Sequence, residues 1–477
     1  MEFEPVIGLE IHAQMATQSK IFCNCSTEFG KPPNANTCPV CLGLPGVLPV
    51  LNKQVLEFAV RLGLATNCTI RLDSQFARKN YFYPDLPKAY QISQFDRPIC
   101  ENGWLNVDVN GQTKKIGITR IHMEEDAGKL IHGDGDDDCS YVDLNRAGVP
   151  LLEIVSEPDI RTPEEAKAYM EKIHSIVCYL GVSDGDMEKG NLRCDANVSL
   201  RLAGQEEFGT RTETKNLNSF RFIQQAIVYE IARQKEELLD GHEIVQETRL
   251  WDSDKKITYS MRSKEEAHDY RYFPDPDLPV AHITQGWVDS IAETLPELPD
   301  AKRQRFINQY GLRLEDASVL VAEQSIADYY EDVAAHQVNP KTVYNWVIME
   351  MGRVMNETRK RIGELGISTN HLAELIGLIE DNSISGKIAK AVFEEMLKNN
   401  QSPHVIVEAK GLKQISDEGA LGQQIDEILE SNPAQVEQYR AGKTKVIGFF
   451  VGQIMKATKG QAHPQIVNQL LKQKLDL

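Results

Sequence analysis

The sequence predicts an α+β protein, in which a β-rich N-terminal domain with inserted helices precedes an all-α helical domain and a small helical tail domain. Three observations support this fold class. Alternation of apolar and polar residues, which is typical of half-buried strands, recurs through residues 1–290. Residues 294–300 have the proline-rich composition of a linker, and the chain beyond them carries apolar residues at helical spacing. We place the domains at 1–293, 300–366 and 367–477.

The N-terminal domain contains both kinds of element. Alternation predicts strands at 6–12, 115–122 and 192–200. Thr162 followed by Pro163 and two glutamates is a helix start, which predicts a helix that ends near residue 180. A second helix is predicted from residue 220 to about residue 239.

The C-terminal region is helical in character. Residues 300–365 have few glycines or prolines inside the predicted elements. In the tail, Leu372, Leu375, Ile376 and Ile379 share one apolar helix face.

Composition bounds the class of protein. The chain of 477 residues has no apolar run of the roughly 20 residues that a membrane span needs, and its acidic N-terminus lacks a signal-peptide pattern. Nine cysteines, an odd number, favour a reducing compartment, so we expect a cytoplasmic protein.

Charge is distributed unevenly along the chain. Residues 440–477 carry seven lysines and arginines against one aspartate, a net charge of +6 on a chain whose total is −18. Such a tail can steer a polyanion to one end of the protein, or it can be an ordinary solvated helix face.

Four thiols near the N-terminus have the spacing of a structural zinc site. Cys23-x-Cys25 and Cys38-x-x-Cys41 flank a loop rich in Gly, Pro and Asn. Four thiolates leave no open coordination position, so such a metal would be structural. The alternative is that some of these cysteines are ordinary small buried residues.

Two other motifs lack residues that a phosphate-binding loop or a calcium loop requires. Gly442-Lys443-Thr444 resembles the end of a phosphate-binding loop, but position 437 is Glu where that loop needs Gly. The acidic run 133–138 lacks the Gly and Glu that a calcium loop requires at 139 and 145, so we expect a turn between two strands.

Polar residues at a spacing of two along the predicted strands are the main indication of a functional site. Residues on alternate positions of a strand share a face. Three such sets stand out: Glu10 and His12; Arg193, Asp195, Asn197 and Ser199; and Arg211, Glu213 and Lys215. Residues 120–129 add oxygen ligands suited to Mg²⁺. The strands predict a concave polar surface that holds metal and phosphate, or else faces that simply meet water.

Residues 79–91 combine aromatic side chains with lysines. Lys79, Tyr81 and Lys88 could stack a base and meet a phosphate, or could form a packed loop.

Six segments together resemble one known family, GatB/GatE. They are 8–12 (GLEIH), 79–85 (KNYFYPD), 122–129 (HMEEDAGK), 143–159 (DLNRAGVPLLEIVSEPD), 193–199 (RCDANVS) and 213–219 (ETKNLNS). The bacterial members are B subunits of the aspartyl/glutamyl-tRNA(Asn/Gln) amidotransferase, and the resemblance covers the full chain.

The resemblance implies an ATP-dependent, glutamine-hydrolysing ligase with three kinds of subunit. The amidase (A) subunit releases ammonia, and the heterotrimer also contains a small C subunit. Mischarged tRNA and ATP bind to the B subunit, which phosphorylates the side-chain carboxylate of Glu-tRNA(Gln) or Asp-tRNA(Asn). Ammonia arrives through a channel and displaces the phosphate. The β-rich domain of the family is a cradle that holds this site, and the tail contacts tRNA.

The resemblance also implies roles for individual residues. The Mg²⁺ ligands would be His12, Glu125 and Glu153, with Glu10, Asp195, Glu213 and Lys215 as their catalytic neighbours. Lys79, Tyr81 and Lys88 would line the ATP side or the ammonia channel. Cys23, Cys25, Cys38 and Cys41 would hold zinc, and Lys443, Lys445, Lys456 and Lys459 would contact tRNA phosphates.

Two other functions remain open on the residues alone. A metal-dependent hydrolase could use the same carboxylates without ATP or a partner, and a tRNA-binding scaffold could carry the polar face without catalysis. The sequence does not distinguish between the two mischarged tRNAs as the physiological substrate.

Overall fold

The computed structural model describes residues 2–132, 139–263, 270–413, 418–458, 461–462 and 464–476. The chain divides into two compact units, residues 1–299 and 300–477. The first unit contains the strands, and the second unit is helical, which confirms the predicted α+β class. No helix among the described residues combines the length and the apolar character that a membrane span requires.

The strands of the first unit form one large mixed sheet and three small ones. In chain order they are β1 Phe3–Gln14, β2 Thr69–Ile70, β3 Asp73–Ser74, β4 Ala77–Asn80, β5 Tyr90–Ser93, β6 Cys100–Val109, β7 Gln112–Glu125, β8 Lys129–His132, β9 Ser140–Asp143, β10 Pro150–Ser156, β11 Leu192–Leu202, β12 Thr212–Leu217, β13 Glu247–Asp252, β14 Ile257–Ser263, β15 Phe273–Pro274 and β16 Ala281–His282. The nine-stranded sheet has the order β14-β13-β12-β11-β1-β10-β7-β6-β2, and its β12 and β13 pair in parallel. The three predicted strands are confirmed as parts of β1, β7 and β11.

Among the described residues, four α-helices belong to the first unit and twelve follow. They are α1 Lys53–Ala65, α2 Pro163–Tyr179, α3 Phe220–Leu239, α4 Gln285–Ala292, α5 Pro299–Tyr310, α6 Leu314–Val321, α7 Gln324–Ala334, α8 Pro340–Asn345, α9 Gly352–Thr358, α10 Thr369–Glu380, α11 Gly386–Asn399, α12 Pro403–Ala409, α13 Glu418–Glu430, α14 Pro433–Arg440, α15 Ile447–Ala457 and α16 Pro464–Leu475. The predicted helices at 163–180 and 220–239 are confirmed as α2 and α3. Their N-caps, Thr162 and Ser219, accept backbone hydrogen bonds from Glu165 and Phe222.

Alternation along β1 gives the large sheet two different faces. Ile7, Leu9 and Ile11 are buried in a core shared with α2 and α3. The side chains between them, among them Glu10 and His12, therefore point to the opposite face. The helices cover the apolar face and leave the polar face of the sheet for the site described below.

The helical unit has two cores. Helices from α5 to α12 share one, which includes Phe306, Trp346 and Phe393, and helices α13 to α16 enclose a smaller one around Phe450 and Leu471. Residues on both sides of the boundary that we placed at 366/367 belong to the first core, and that boundary stays a prediction. The acidic run 133–138, expected to be a turn, lies outside the described residues; β8 and β9 on either side of it pair antiparallel.

A buried carboxylate ties α3 to the end of the large sheet. Glu230, on α3, is fully buried. It accepts hydrogen bonds from Thr212 on β12 and Thr258 on β14, and it pairs with Arg249 of β13 at 3.0 Å and with Arg233 at 2.8 Å. Glu230 thus connects β12, β13 and β14. Of these strands, β12 carries the predicted site residues Glu213 and Lys215.

We expect Glu230→Gln to lower the free energy of unfolding by about 3–5 kcal/mol, because it removes the carboxylate partner of Arg233 and leaves Arg249 paired with Glu247 alone. Glu236→Gln, on an exposed part of the same helix, is the matched control and should change stability by less than about 0.5 kcal/mol. Urea unfolding followed by circular dichroism measures both. Equal stability of the two variants would contradict the role given to Glu230.

Candidate active site

Strand register brings polar side chains from five neighbouring strands to one face of the large sheet. Glu153 on β10 lies opposite His12 on β1 and opposite His122 on β7. On the other side of β1, Glu10 lies opposite Asp195 of β11. Beyond β11, Glu213 and Lys215 of β12 continue the same face. Since directly opposite residues of antiparallel strands lie about 5 Å apart, the register alone assembles this group.

His12 stands among three carboxylates. Its Nε2 lies 3.5 Å from Oε1 of Glu10, 3.8 Å from Oε1 of Glu124 and 3.5 Å from Oε2 of Glu153. Nε2 of His122 lies 3.5 Å from the same Glu153 oxygen, and Nδ1 of His122 is buried without a hydrogen-bond partner among the described residues. The ligand atoms of His12, Glu124 and Glu153 all lie within 4.8 Å of one another, and so do those of Glu10, His12 and Asp195.

The crowding of charge shifts the pKa values of this group. Repulsion by Glu153, together with burial, raises the pKa of Glu10 to about 7. Burial alone would lower the pKa of His12, but the hydrogen bond to Glu153 and its charge raise it to about 9. Burial also opposes ionisation of Glu153, but His122 and His12 hold its pKa well below the usual range. A cation bound here would relieve the repulsion among the carboxylates.

A lysine completes the polar face. Nζ of Lys215 lies 2.5 Å from Asp195 and 3.3 Å from Glu213, and Glu213 accepts a hydrogen bond of 3.0 Å from Thr248 on β13. Burial would lower the pKa of Lys215, but the charges of Asp195 and Glu213 raise it. Lys215 therefore remains an ammonium group at neutral pH.

A cleft of about 1070 Å³ opens above this face. Its floor includes Glu10, His122, Glu153, Glu213 and Lys215. Its wall is aromatic and basic, and its members include Lys79, Tyr81, Phe95, Arg120, Arg211, Tyr270 and Tyr272.

Lys79 links the wall of the cleft to its floor. Its Nζ lies 4.8 Å from the centroid of the Tyr270 ring and 5.8 Å from that of Tyr81. Burial would lower the pKa of Lys79, but the charges of Tyr272, Glu124 and Glu153 raise it. The ammonium group of Lys79 is thus held beside the acidic floor. Among the described residues, no carboxylate forms an ion pair with it.

Two predicted site residues lie elsewhere. Glu125, expected to hold metal with His12 and Glu153, follows Glu124 on β7 and so lies on the opposite face of the strand. Its carboxylate lies 2.5 Å from Nζ of Lys88 and accepts a hydrogen bond of 2.9 Å from the backbone of Ile92. Lys88, predicted with Lys79 and Tyr81 to line the ATP side or the ammonia channel, lines a separate and smaller cavity of about 190 Å³, and its role stays a prediction.

Glu124 and His122 were not predicted as individual site residues. Both lie on the polar face of β7, opposite to the face that carries Glu125. The signal was present, because the two residues are spaced by two on a strand that was itself predicted, at 115–122. Extending that alternation by two residues would have selected Glu124.

The four predicted thiols come together. Their Sγ atoms all lie within 4.8 Å of one another, and those of Cys38 and Cys41 are 3.9 Å apart. Tetrahedral zinc with bonds of about 2.3 Å places its sulfur ligands about 3.8 Å apart. The cluster could therefore hold a structural zinc ion.

The candidate tRNA contacts lie in the second unit. Lys443, Lys445 and Lys456 are exposed at α14–α15 and the turn between them, and Lys459 lies outside the described residues.

Two family models match the chain. The model described as GatB/GatE catalytic domain matches residues 5–289, and the model described as GatB domain matches residues 328–475.

Full-length relatives agree with these matches. The chain is 59% identical over 480 residues to a protein of Geotalea uraniireducens that is named as the B subunit of the aspartyl/glutamyl-tRNA(Asn/Gln) amidotransferase, with 100% of both chains covered. Proteins of the same name from Syntrophotalea carbinolica and Caldanaerobacter subterraneus are 59% and 58% identical, over 99% and 100% of this chain and 98% and 100% of their own.

We expect Glu124→Gln to weaken Mn²⁺ binding at least about tenfold, because it removes a carboxylate from the group around His12. Glu125→Gln, its neighbour on the opposite face, should leave Mn²⁺ affinity within about twofold. Electron paramagnetic resonance of free Mn²⁺ measures both constants on variants shown by circular dichroism to be folded. A larger loss in Glu125→Gln than in Glu124→Gln would restore the original prediction.

Proposed function

This chain belongs to the GatB/GatE family, and we propose that it is the tRNA- and ATP-binding subunit of a tRNA-dependent amidotransferase. Its substrates are Glu-tRNA(Gln), Asp-tRNA(Asn) or both. It phosphorylates their side-chain carboxylate and then amidates it with ammonia from a partner amidase. The complex also contains a small third subunit.

The observation that carries this proposal is the acidic and imidazole group on the cleft floor, flanked by Lys79 and Lys215. Oxygen ligands suit Mg²⁺, and the repulsion among Glu10, Glu124 and Glu153 favours a divalent cation. When bound, Mg²⁺ neutralises charge on the phosphates of ATP. His12, Glu124 and Glu153 would hold it, and Glu10 with Asp195 lies close enough to hold a second cation.

The first step transfers the γ-phosphoryl group of ATP to the carboxylate of the aminoacyl group, giving an acyl phosphate and ADP. A carboxylate is a poor electrophile, and the phosphate supplies a leaving group. Lys79 and Lys215 would meet phosphate oxygens, since Lys79 on the wall and Lys215 on the floor both present ammonium groups to the cleft. The aromatic wall, with Tyr81, Tyr270 and Tyr272, suits the stacking of a base.

In the second step, ammonia attacks the carbonyl carbon of the acyl phosphate. The carbon–oxygen bond to phosphate breaks, inorganic phosphate leaves, and the nitrogen gives up a proton to form the amide. The acidic groups of the floor, Glu10 and Asp195 among them, are available to accept that proton. Lys88 and Glu125, which line the separate cavity, would belong to the ammonia route rather than to the ATP side.

The helical tail would bind the body of the tRNA. Lys443, Lys445, Lys456 and Lys459 are candidate phosphate contacts in the segment 440–477, which has a net charge of +6. Zinc on the four thiols would stabilise the loop that follows β1. Glu10 and His12 lie on that strand.

We expect Glu153→Gln to lower the rate of amide formation by about 10²–10³-fold or more, because Glu153 joins both histidines on the floor. The assay uses the complex reconstituted with its amidase and small subunits, ATP, glutamine and each mischarged tRNA in turn. Glu171→Gln, on the exposed side of α2, is the control and should keep full activity. Full amidation by Glu153→Gln would leave only the scaffold function, and hydrolysis of substrate without ATP would favour a hydrolase.

Replacing Lys443 and Lys456 together by Gln should weaken tRNA binding and reduce the slope of log K against log salt by about 1.4–1.8, since each phosphate contact contributes about 0.7–0.9. The control pair, Lys387→Gln with Lys398→Gln on α11, removes equal charge outside the basic segment 440–477. Filter binding at several salt concentrations measures the slope. An unchanged slope in the tail variant would reject the assignment of these lysines.

A further inference from the structure

Lys20 is a buried ammonium group beside the four thiols. The residue is 0% exposed. Its Nζ donates to the backbone oxygens of Asn36, at 2.7 Å, and Leu144, at 3.3 Å, and lies 3.6 Å from Sγ of Cys41. Among the residues that the structure describes, no carboxylate lies within ion-pair distance of it. Burying a charge without a counter-charge costs several kcal/mol, so this group calls for a negative partner.

The carboxylate that shares a cavity with Lys20 does not supply this charge. Glu125 lines the same cavity of about 190 Å³, but it is paired with Lys88. The backbone oxygens of Asn36 and Leu144 provide dipoles and no formal charge. The sulfur of Cys41 is therefore the contact that can be anionic.

A metal on the four thiols would provide that negative charge. Four thiolates around one divalent ion leave the centre with a net negative charge. Cys41 also accepts a hydrogen bond of 3.2 Å from the backbone of Cys38, so its sulfur has two donors besides the metal that it would bind. Donors of this kind hold ligands in place and stabilise their charge.

The same lysine connects the thiol loop to the segment that enters β10. Leu144, which accepts from Lys20, also donates its backbone N–H to Asn34 at 2.8 Å. Asn145 accepts from the backbone of Asn36 at 2.7 Å and donates to Pro32 at 2.7 Å. The loop between the two cysteine pairs is thus fastened to residues that precede the strand of Glu153.

We propose that Lys20 is the counter-ion of the four-thiol metal centre, and that it fixes the charged centre against the segment leading to β10. Lys20 is a positioning residue and not a metal ligand. The proposal rests on the thiols binding zinc. Its consequence is that Lys20 and the metal stabilise each other.

The test compares Lys20→Met with wild type and with Lys31→Met, an exposed lysine of the same loop that pairs with Glu28. Zinc affinity of the full-length chain is measured by competition with a chromophoric chelator. We expect Lys20→Met to bind zinc about 10–100-fold more weakly, Lys31→Met to bind it as wild type does, and Lys20→Arg to recover part of the loss.

Thermal unfolding with and without zinc separates this role from simple packing. The counter-ion role predicts that Lys20→Met lowers the unfolding temperature of the zinc-loaded protein more than that of the metal-free protein. A packing role lowers both equally and leaves zinc affinity unchanged, which would overturn the proposal. If Lys20→Met does not fold, Lys20→Gln is measured against the same criterion. Absence of zinc binding by the wild type would instead refute the metal site itself.

Discussion

β1 pairs along its length with β11 and, over residues 10–14, with β10, and this pairing decides what the first unit can do. Because side chains alternate, the strand that buries Ile7, Leu9 and Ile11 in the core must present Glu10 and His12 on the other face. A slip of one residue would exchange the two sets, placing carboxylates in the core. The apolar face, held by α2 and α3, therefore fixes the register, and the register fixes the site.

The site brings several carboxylates close together. The free-energy cost of their repulsion is offset by neighbouring groups of opposite charge. Glu10, Glu124 and Glu153 converge on one imidazole. Burial and the charge of Glu153 raise the pKa of Glu124, and the charge of Glu153 together with burial raises that of Glu10. Two histidines and two lysines lie close enough to counter part of this acidity. Beneath the sheet, Glu230 performs the opposite task, since one carboxylate there satisfies two arginines. The strand that carries Glu213 and Lys215 is thus fixed from the core side while its other face stays polar.

Much of this arrangement is local enough to be visible in the sequence. The spacing of two identified Glu10 with His12, and Glu213 with Lys215, and the spacing of the thiols identified the cluster that the structure assembles. The choice of Glu125 over Glu124 had a different origin, because it followed a motif rather than the parity of the strand. Lys20 and Glu230 could not be selected from sequence, because their importance lies in burial and in distant partners. Lys20 donates to a backbone oxygen 124 residues away, and Glu230, on a helix, has partners on three strands.

The proposed function depends most on phosphorylation of the substrate carboxylate before ammonia attacks. The direct measurement uses aminoacyl-tRNA whose side-chain carboxylate carries ¹⁸O at both oxygens, incubated with the reconstituted complex, ATP and glutamine. Mass spectrometry of the released inorganic phosphate then reports the origin of its oxygens. Passage through an acyl phosphate predicts one ¹⁸O in phosphate for each amide formed, because the oxygen that bonds phosphorus leaves with it. Phosphate free of ¹⁸O, with amide still formed, would contradict the account.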